Sequence, residues 1–443
     1  MRSLACRWLG AKPHELAALG WAFAYFFLLL AGYYVLRPVR DEMAVQAGTA
    51  VLPWLFTATF GAMLLLVPLW GWLCARLPRA RLLVAVYAFF AANLVLFWLA
   101  HQSGASLRHL AAVFFVWLSV FNLFVVSVFW SFMADLFDAG QAARLYGAIA
   151  AGGSCGAIAG PALTALAVTA LGPANLFLVS AAILCVAMVC IYRLSAWSRL
   201  FPRQGERQPE EPLGGTVLAG LRAALSSPFL LAICGYLLCY TMLSTSLYFQ
   251  QVEIVGAAIA QPAERTRLFA TVDLVVNSLT LVVQLALTAR LGARLGPGWM
   301  LALMPLVSVA GFLALGAAPA LAVLLAFGII RRVGEFAISK PVREALYTVV
   351  AREERYKAKN FIDTAVYRGG DAFSGWLFGA LKALGLGLAG IAFAAVPVAA
   401  AWAALGFWLG AAQSRLRDEA RRACTRGPSA GRSVSCTPDR PKA

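Results

Sequence analysis

Charge is what this chain has least of. Asp and Glu together number 20 in 443 residues, and all charged residues make up 13%, about half the share of a soluble globular domain. That excludes a soluble enzyme, a charge-rich disordered chain and a coiled coil. Histidine occurs three times, at His14, His101 and His109, and no HEXXH or DDXXD-like cluster surrounds any of them. The nine cysteines are scattered and form no CxxC pair, so neither a disulfide framework nor a zinc site is indicated. No GxxxxGK[ST] loop occurs, so no P-loop for a nucleotide fuel is indicated. Alternating ten-residue strands are missing, which excludes an outer-membrane barrel. No catalytic residues, metal or cofactor are expected.

What fills the chain is apolar sequence, 61% without counting glycine. Runs of about 20 apolar residues suit membrane-crossing helices. They fall at about 17–36, 52–75, 82–101, 110–137, 145–171 and 175–192, then at 228–252, 268–291, 299–317, 321–342, 362–384 and 386–412. The expected fold is an all-α polytopic membrane protein with twelve transmembrane helices in two six-helix halves, 17–194 and 228–412. A leading segment (1–16), a polar central loop (195–227) and a basic, unstructured tail (413–443) complete it. The first apolar run continues to Leu36 without a small-residue cleavage site, so it reads as a retained span.

Lys and Arg total 37, for a net charge of +17. Cytoplasmic loops of membrane proteins collect such residues, so a lipid bilayer rather than nucleic acid is the expected partner. With both termini and the central loop inside, 30 basic residues lie inside and six outside. A bacterial inner membrane with both termini cytoplasmic is the expectation, and a monomer.

The segment Gly71–Arg81 after the second span and Ala289–Gly296 after the eighth are both short, basic and turn-rich. With the six-plus-six count they suggest parallel halves, as in major facilitator transporters. The first loop resembles that superfamily's signature loop, with Ala75 where an acid usually precedes the basic residue.

Charges inside spans carry the chemistry, because an Arg or Lys at the bilayer centre costs about 2.5–3.5 kcal/mol and so faces a cavity or partner. Arg331 and Arg332 fall near mid-depth of the tenth span. Glu335 stands four and three residues on, within reach along one helix. The eleventh span carries a polar stripe of Asp363, Thr364, Tyr367, Arg368, Asp371 and Ser374, in which Arg368 and Asp371 can pair. Arg37 and Arg40 close the first span, either as interfacial anchors or as ligands. In the fifth span Gly156, Gly160 and Pro161 permit close helix packing or bending.

The run Tyr33-Tyr34-Val35-Leu36-Arg37-Pro38-Val39-Arg40-Asp41-Glu42 resembles the first-span signature of the ATP:ADP antiporter (nucleotide translocase) family, in its free-living bacterial branch. So does Arg355-Tyr356-Lys357-Ala358-Lys359-Asn360-Phe361-Ile362-Asp363, with Tyr367–Asp371 after it. The resemblance implies nucleotide exchange and singles out Arg37, Arg40, Lys357, Lys359 and Asp363.

Guanidinium groups match phosphate oxygens. The expected function is therefore a secondary transporter of an organic anion, such as a nucleotide or phosphorylated metabolite, driven by exchange or ion coupling. Arg37, Arg40, Arg331, Arg332, Lys357, Lys359 and Arg368 are the candidate ligands. Glu335, Asp363 and Asp371 are the candidates for coupling or gating. A non-transporting membrane partner or sensor, and more distantly a lipid-modifying membrane enzyme, remain alternatives.

Overall fold

The computed structural model describes residues 12–76, 79–200, 225, 227–350, 358–359 and 361–425. Within them the chain forms two sets of six helices. The first set is α1 (Leu16–Ala47), α2 (Leu52–Arg76), α3 (Arg79–Gln102), α4 (Leu107–Leu136), α5 (Ala139–Leu171) and α6 (Asn175–Leu200). The second is α7 (Pro228–Ala258), α8 (Pro262–Val283), α9 (Ala289–Ala317), α10 (Leu321–Gly334), α11 (Tyr367–Ala383) and α12 (Leu388–Thr425). Nine helices among the described residues are long and apolar enough to cross a membrane, and no strand occurs among them. The fold is that of an all-α polytopic membrane protein.

Local chemistry sets the helix ends. Asp138 accepts from the Gln141 amide nitrogen while Gln141 returns a bond to Asp138, a capping box that starts α5. Ser227 caps α7, and Pro228 fills its first turn. Gly48, with φ of 79°, ends α1 in a backbone conformation that favours glycine.

Three π turns interrupt the second set, at Gln284–Thr288, Glu335–Ser339 and Ile362–Val366. The first two face each other. Gln284 Nε2 donates to the Phe336 carbonyl (3.2 Å) and Thr288 Oγ1 to that of Ala337 (2.9 Å), so carbonyls in one π turn are satisfied from the other. Beyond Ser339, α10 resumes as Lys340–Leu346.

Two expectations need correction. The first span does not stop at Leu36, because α1 runs through Pro38 to Ala47. Arg37 and Arg40 therefore sit inside a helix, well before its end. Nor does order stop at 412: α12 continues to Thr425. Residues 413–425 are rich in Arg and Ala, both good helix formers, and Gln413 Nε2 donates to the Ala345 carbonyl at 2.8 Å. Most of the central loop, the segment 351–357 and the rest of the tail lie outside the described residues.

Each set has its own apolar core. One is built from buried residues between Ala18 and Trp197 and contains Tyr25, Phe114, Phe121 and Phe129. The other lies between Phe229 and Leu409, around Tyr236, Phe312 and Trp402. A smaller third core joins the halves at one end, where Ala44, Leu52, Leu55 and Phe115 meet Phe249, Val252, Phe378 and Ile391.

The glycine stripe of α5 lies flat on α1. A Cβ at Gly152, Gly156 or Gly160 would meet the carbonyl oxygen of Phe23, Phe27 or Ala31 in turn. Small residues four apart thus let two backbones touch. Pro161 cannot donate to the Ala157 carbonyl four residues back. Asn277 Nδ2 of α8 supplies that bond at 2.6 Å, and the stitch joins the two halves.

Candidate functional site

Below the shared core, a cavity of about 230 Å³ opens between the halves. From α1 it is lined by Arg37, Arg40 and Asp41, and from α7 by Tyr240, Ser244, Tyr248 and Gln251. Arg331, Arg332 and Glu335 enter from α10 and its π turn, and Tyr367 from α11. Four guanidinium groups and two carboxylates thus face one space, a surplus of two positive charges.

Three kinds of contact hold the four arginines. Arg40 makes two bonds to Asp41 Oδ1, at 3.0 and 2.7 Å, and lies 5.1 Å from the Phe115 ring centre. Tyr248 donates to the same carboxylate oxygen at 3.2 Å. Arg37 lies over Tyr34 and pairs with Asp273 at 3.4 Å. Arg332 pairs with the same oxygen of Asp273 at 2.5 Å. Arg331 donates one nitrogen to Ser244 at 2.8 Å and lies over Tyr240. Its Nε and second terminal nitrogen are buried with no hydrogen-bond partner. A buried donor left unmade is costly, so this guanidinium is incompletely satisfied.

Arg37, Arg40, Arg331, Arg332 and Glu335 are the expected residues that the fold brings together. Glu335 does not pair with Arg331 or Arg332 as helical spacing suggested. It bonds Arg343 at 3.0 Å, eight residues on and across the π turn Glu335–Ser339. Arg368 and Asp371 do approach, at 3.7 Å, and Thr245 also donates to Asp371; neither lines the cavity. Lys359 lies outside it too, paired with Glu344 at 2.5 Å and over Tyr347. Asp363 is exposed within the third π turn. Lys357 lies outside the described residues. Gly156 and Gly160 serve helix packing, and Pro161 frees the carbonyl that Asn277 takes up.

Sequence reasoning passed over Asp273, the carboxylate that touches arginines of both halves, although it is an acid within an apolar run. Tyr240 and Ser244 carried no signal, since tyrosine and serine are ordinary in membrane helices.

Above the cavity a polar latch crosses between the halves at the end that holds the third core. Arg265 pairs with Glu42 at 2.9 Å. Thr49 donates to Glu253 at 2.9 Å, and Lys382 pairs with the same carboxylate. Trp376 donates to Thr57 at 3.0 Å.

Comparison with known proteins agrees with this architecture. Solved structures of similar fold include the nucleoside transporter NupG, with a TM-score of 0.64 at 12% identity over 90% of this chain and 99% of that one. The POT family transporter PepTSo gives 0.62 at 14%, covering 91% and 98%. A bacterial homologue of the iron transporter ferroportin in an inward-facing state gives 0.62 at 13%, covering 90% and 98%. Identities this low speak to the fold alone. No curated protein matches the sequence. The family model of the Major Facilitator Superfamily matches residues 18–261, more than half of the chain. The chain belongs to the Major Facilitator Superfamily.

Proposed function

We propose that the chain is a secondary transporter that carries an organic anion through the arginine-lined cavity between its halves. Membership of the superfamily places it among transporters rather than enzymes; the nature of the cargo rests on the site. One observation carries the reading. Arginines from both halves face the same cavity, and Arg331 keeps two buried donor nitrogens unpartnered. A phosphate or carboxylate oxygen satisfies such donors and offsets the surplus charge.

In a two-half transporter the cargo sits between halves and contacts both. A bound anion then draws Arg37 and Arg40 toward Arg331 and Arg332, which favours exchange of one anion for another. The motifs at Tyr33–Glu42 and Arg355–Asp363 support a relation to the ATP:ADP antiporter family, and hence a nucleotide or other phosphorylated metabolite. With the basic loops inside, the latch lies on the outer side of a bacterial inner membrane and both termini are cytoplasmic.

A thermal-shift screen of the purified protein tests the cargo class, using nucleotides, sugar phosphates, amino acids and peptides. A cognate ligand at 100 times its Kd stabilises by about 2.7 kcal/mol. Stabilisation by an anion supports the reading. Stabilisation confined to neutral or cationic ligands overturns it.

A further inference from the structure

We propose that Asp273 is a resident counter-anion of the site, a positioning residue that subtracts one charge from what the arginines offer the cargo. The inference rests on the anion-transporter reading and deepens it.

Asp273 stands in α8 and its side chain is almost wholly buried. Its Oδ1 touches Arg37 of the first half at 3.4 Å and Arg332 of the second at 2.5 Å. Both arginines line the cavity, and Asp273 does not. The carboxylate therefore stands behind the two guanidinium groups, each of which keeps part of its surface exposed in the cavity wall. Its Oδ2 is buried with no hydrogen-bond partner, so both of its ion pairs fall on a single oxygen. Such a carboxylate is not there for packing. An apolar side chain would leave two partly buried cations facing each other across the halves, which is costly.

The charge count gives Asp273 its effect. The cavity wall has a surplus of two positive charges, counted from Arg37, Arg40, Arg331, Arg332, Asp41 and Glu335. Behind the wall, Arg343 at Glu335 adds one charge and Asp273 removes one, so the surplus stays at two. That matches a dianion. Neutralising Asp273 raises the surplus to three and favours ligands with more negative charge. Selectivity is a difference of affinities, and at this range a unit charge in a partly buried site shifts that difference by about tenfold.

The test measures affinities of the purified full-length protein for inorganic phosphate and pyrophosphate, which share chemistry and differ in charge. In Asp273→Asn the ratio of pyrophosphate to phosphate affinity is expected to rise about tenfold. In Arg332→Gln it falls, and in the double variant it returns to the wild-type ratio. Asp273→Glu keeps the wild-type ratio. A merely structural role would weaken both ligands together and leave the ratio fixed. An unchanged ratio in Asp273→Asn overturns the proposal while the anion site stands. If Asp273→Asn does not fold, Arg332→Gln decides alone, and an unchanged ratio there overturns it. If neither anion binds the wild type, the anion-site reading fails and this proposal falls with it.

Discussion

Glu15 ties the start of α1 to the start of α5. Its carboxylate accepts from the Lys12 backbone N–H, from Gln141 and from two nitrogens of Arg144. Burial alone would raise its pKa, but the bond from Arg144 and those from Lys12 and Gln141 outweigh that and hold it at about 2. A folded-state value below the ordinary 4.5 means that the contribution is whole above pH 4.5. It is lost as the pH falls toward 2. Melting of the wild type in detergent is therefore expected to weaken across that window, and Glu15→Gln to show a shallower dependence there. An identical slope in both proteins counts against the pairing. Other single residues differ in how far the sequence exposes them. Arg37, Arg40, Arg331 and Arg332 are legible because a cation in an apolar run needs a reason. The partner of each is not, since Arg37 meets Asp273 only when α1 packs on α8, far along the chain. Glu335 shows the local limit as well, because helical spacing points to Arg331 and Arg332 while its partner is Arg343, beyond the π turn.

At the scale of elements, α5 lies on α1 through Gly152, Gly156 and Gly160, and a side chain at Gly156 runs into backbone. Backbone cannot yield as a flexible side chain does, so Gly156→Ala is expected to destabilise by about 1–3 kcal/mol. Gly147 in the same helix has open space around its Cβ position, so Gly147→Ala is expected to be neutral or slightly stabilising. Chemical denaturation of the two variants side by side checks the contrast. The Asn277 stitch makes a second prediction. Asn277→Ala leaves the Ala157 carbonyl unpaired and is expected to cost about 1 kcal/mol. In a Pro161→Ala background residue 161 can itself donate to that carbonyl, so the cost of Asn277→Ala shrinks. Additive losses in the double variant contradict this account. The stripe was readable from the spacing of small residues and the freed carbonyl from the proline. What satisfies that carbonyl was not readable, because Asn277 arrives from the other half.

At the scale of the molecule, two separate cores and a small shared one describe a pair of halves joined at one end. Six apolar runs on each side of a polar stretch announced the halves, and the described helices fall on the same two sides of it. The latch was not announced: Glu42, Arg265, Glu253 and Lys382 look like loop charges until α1, α7, α8 and α11 converge. If the halves rock about the cavity, the latch must open in each cycle. Oxidative cross-linking of Thr49→Cys with Glu253→Cys is then expected to arrest transport, and reduction to restore it. Transport that continues in the cross-linked protein contradicts the rocking motion. The central claim is that an anion bound by arginines of both halves is what moves. Its most direct test is uptake of a labelled phosphorylated anion into proteoliposomes, with and without the same anion inside, by the wild type, Arg40→Ala and Arg331→Ala. The account predicts that internal anion accelerates wild-type uptake and that each variant, inserted normally, loses uptake by about tenfold or more. Equal uptake by all three proteins, or a cargo that proves neutral or cationic, would contradict it.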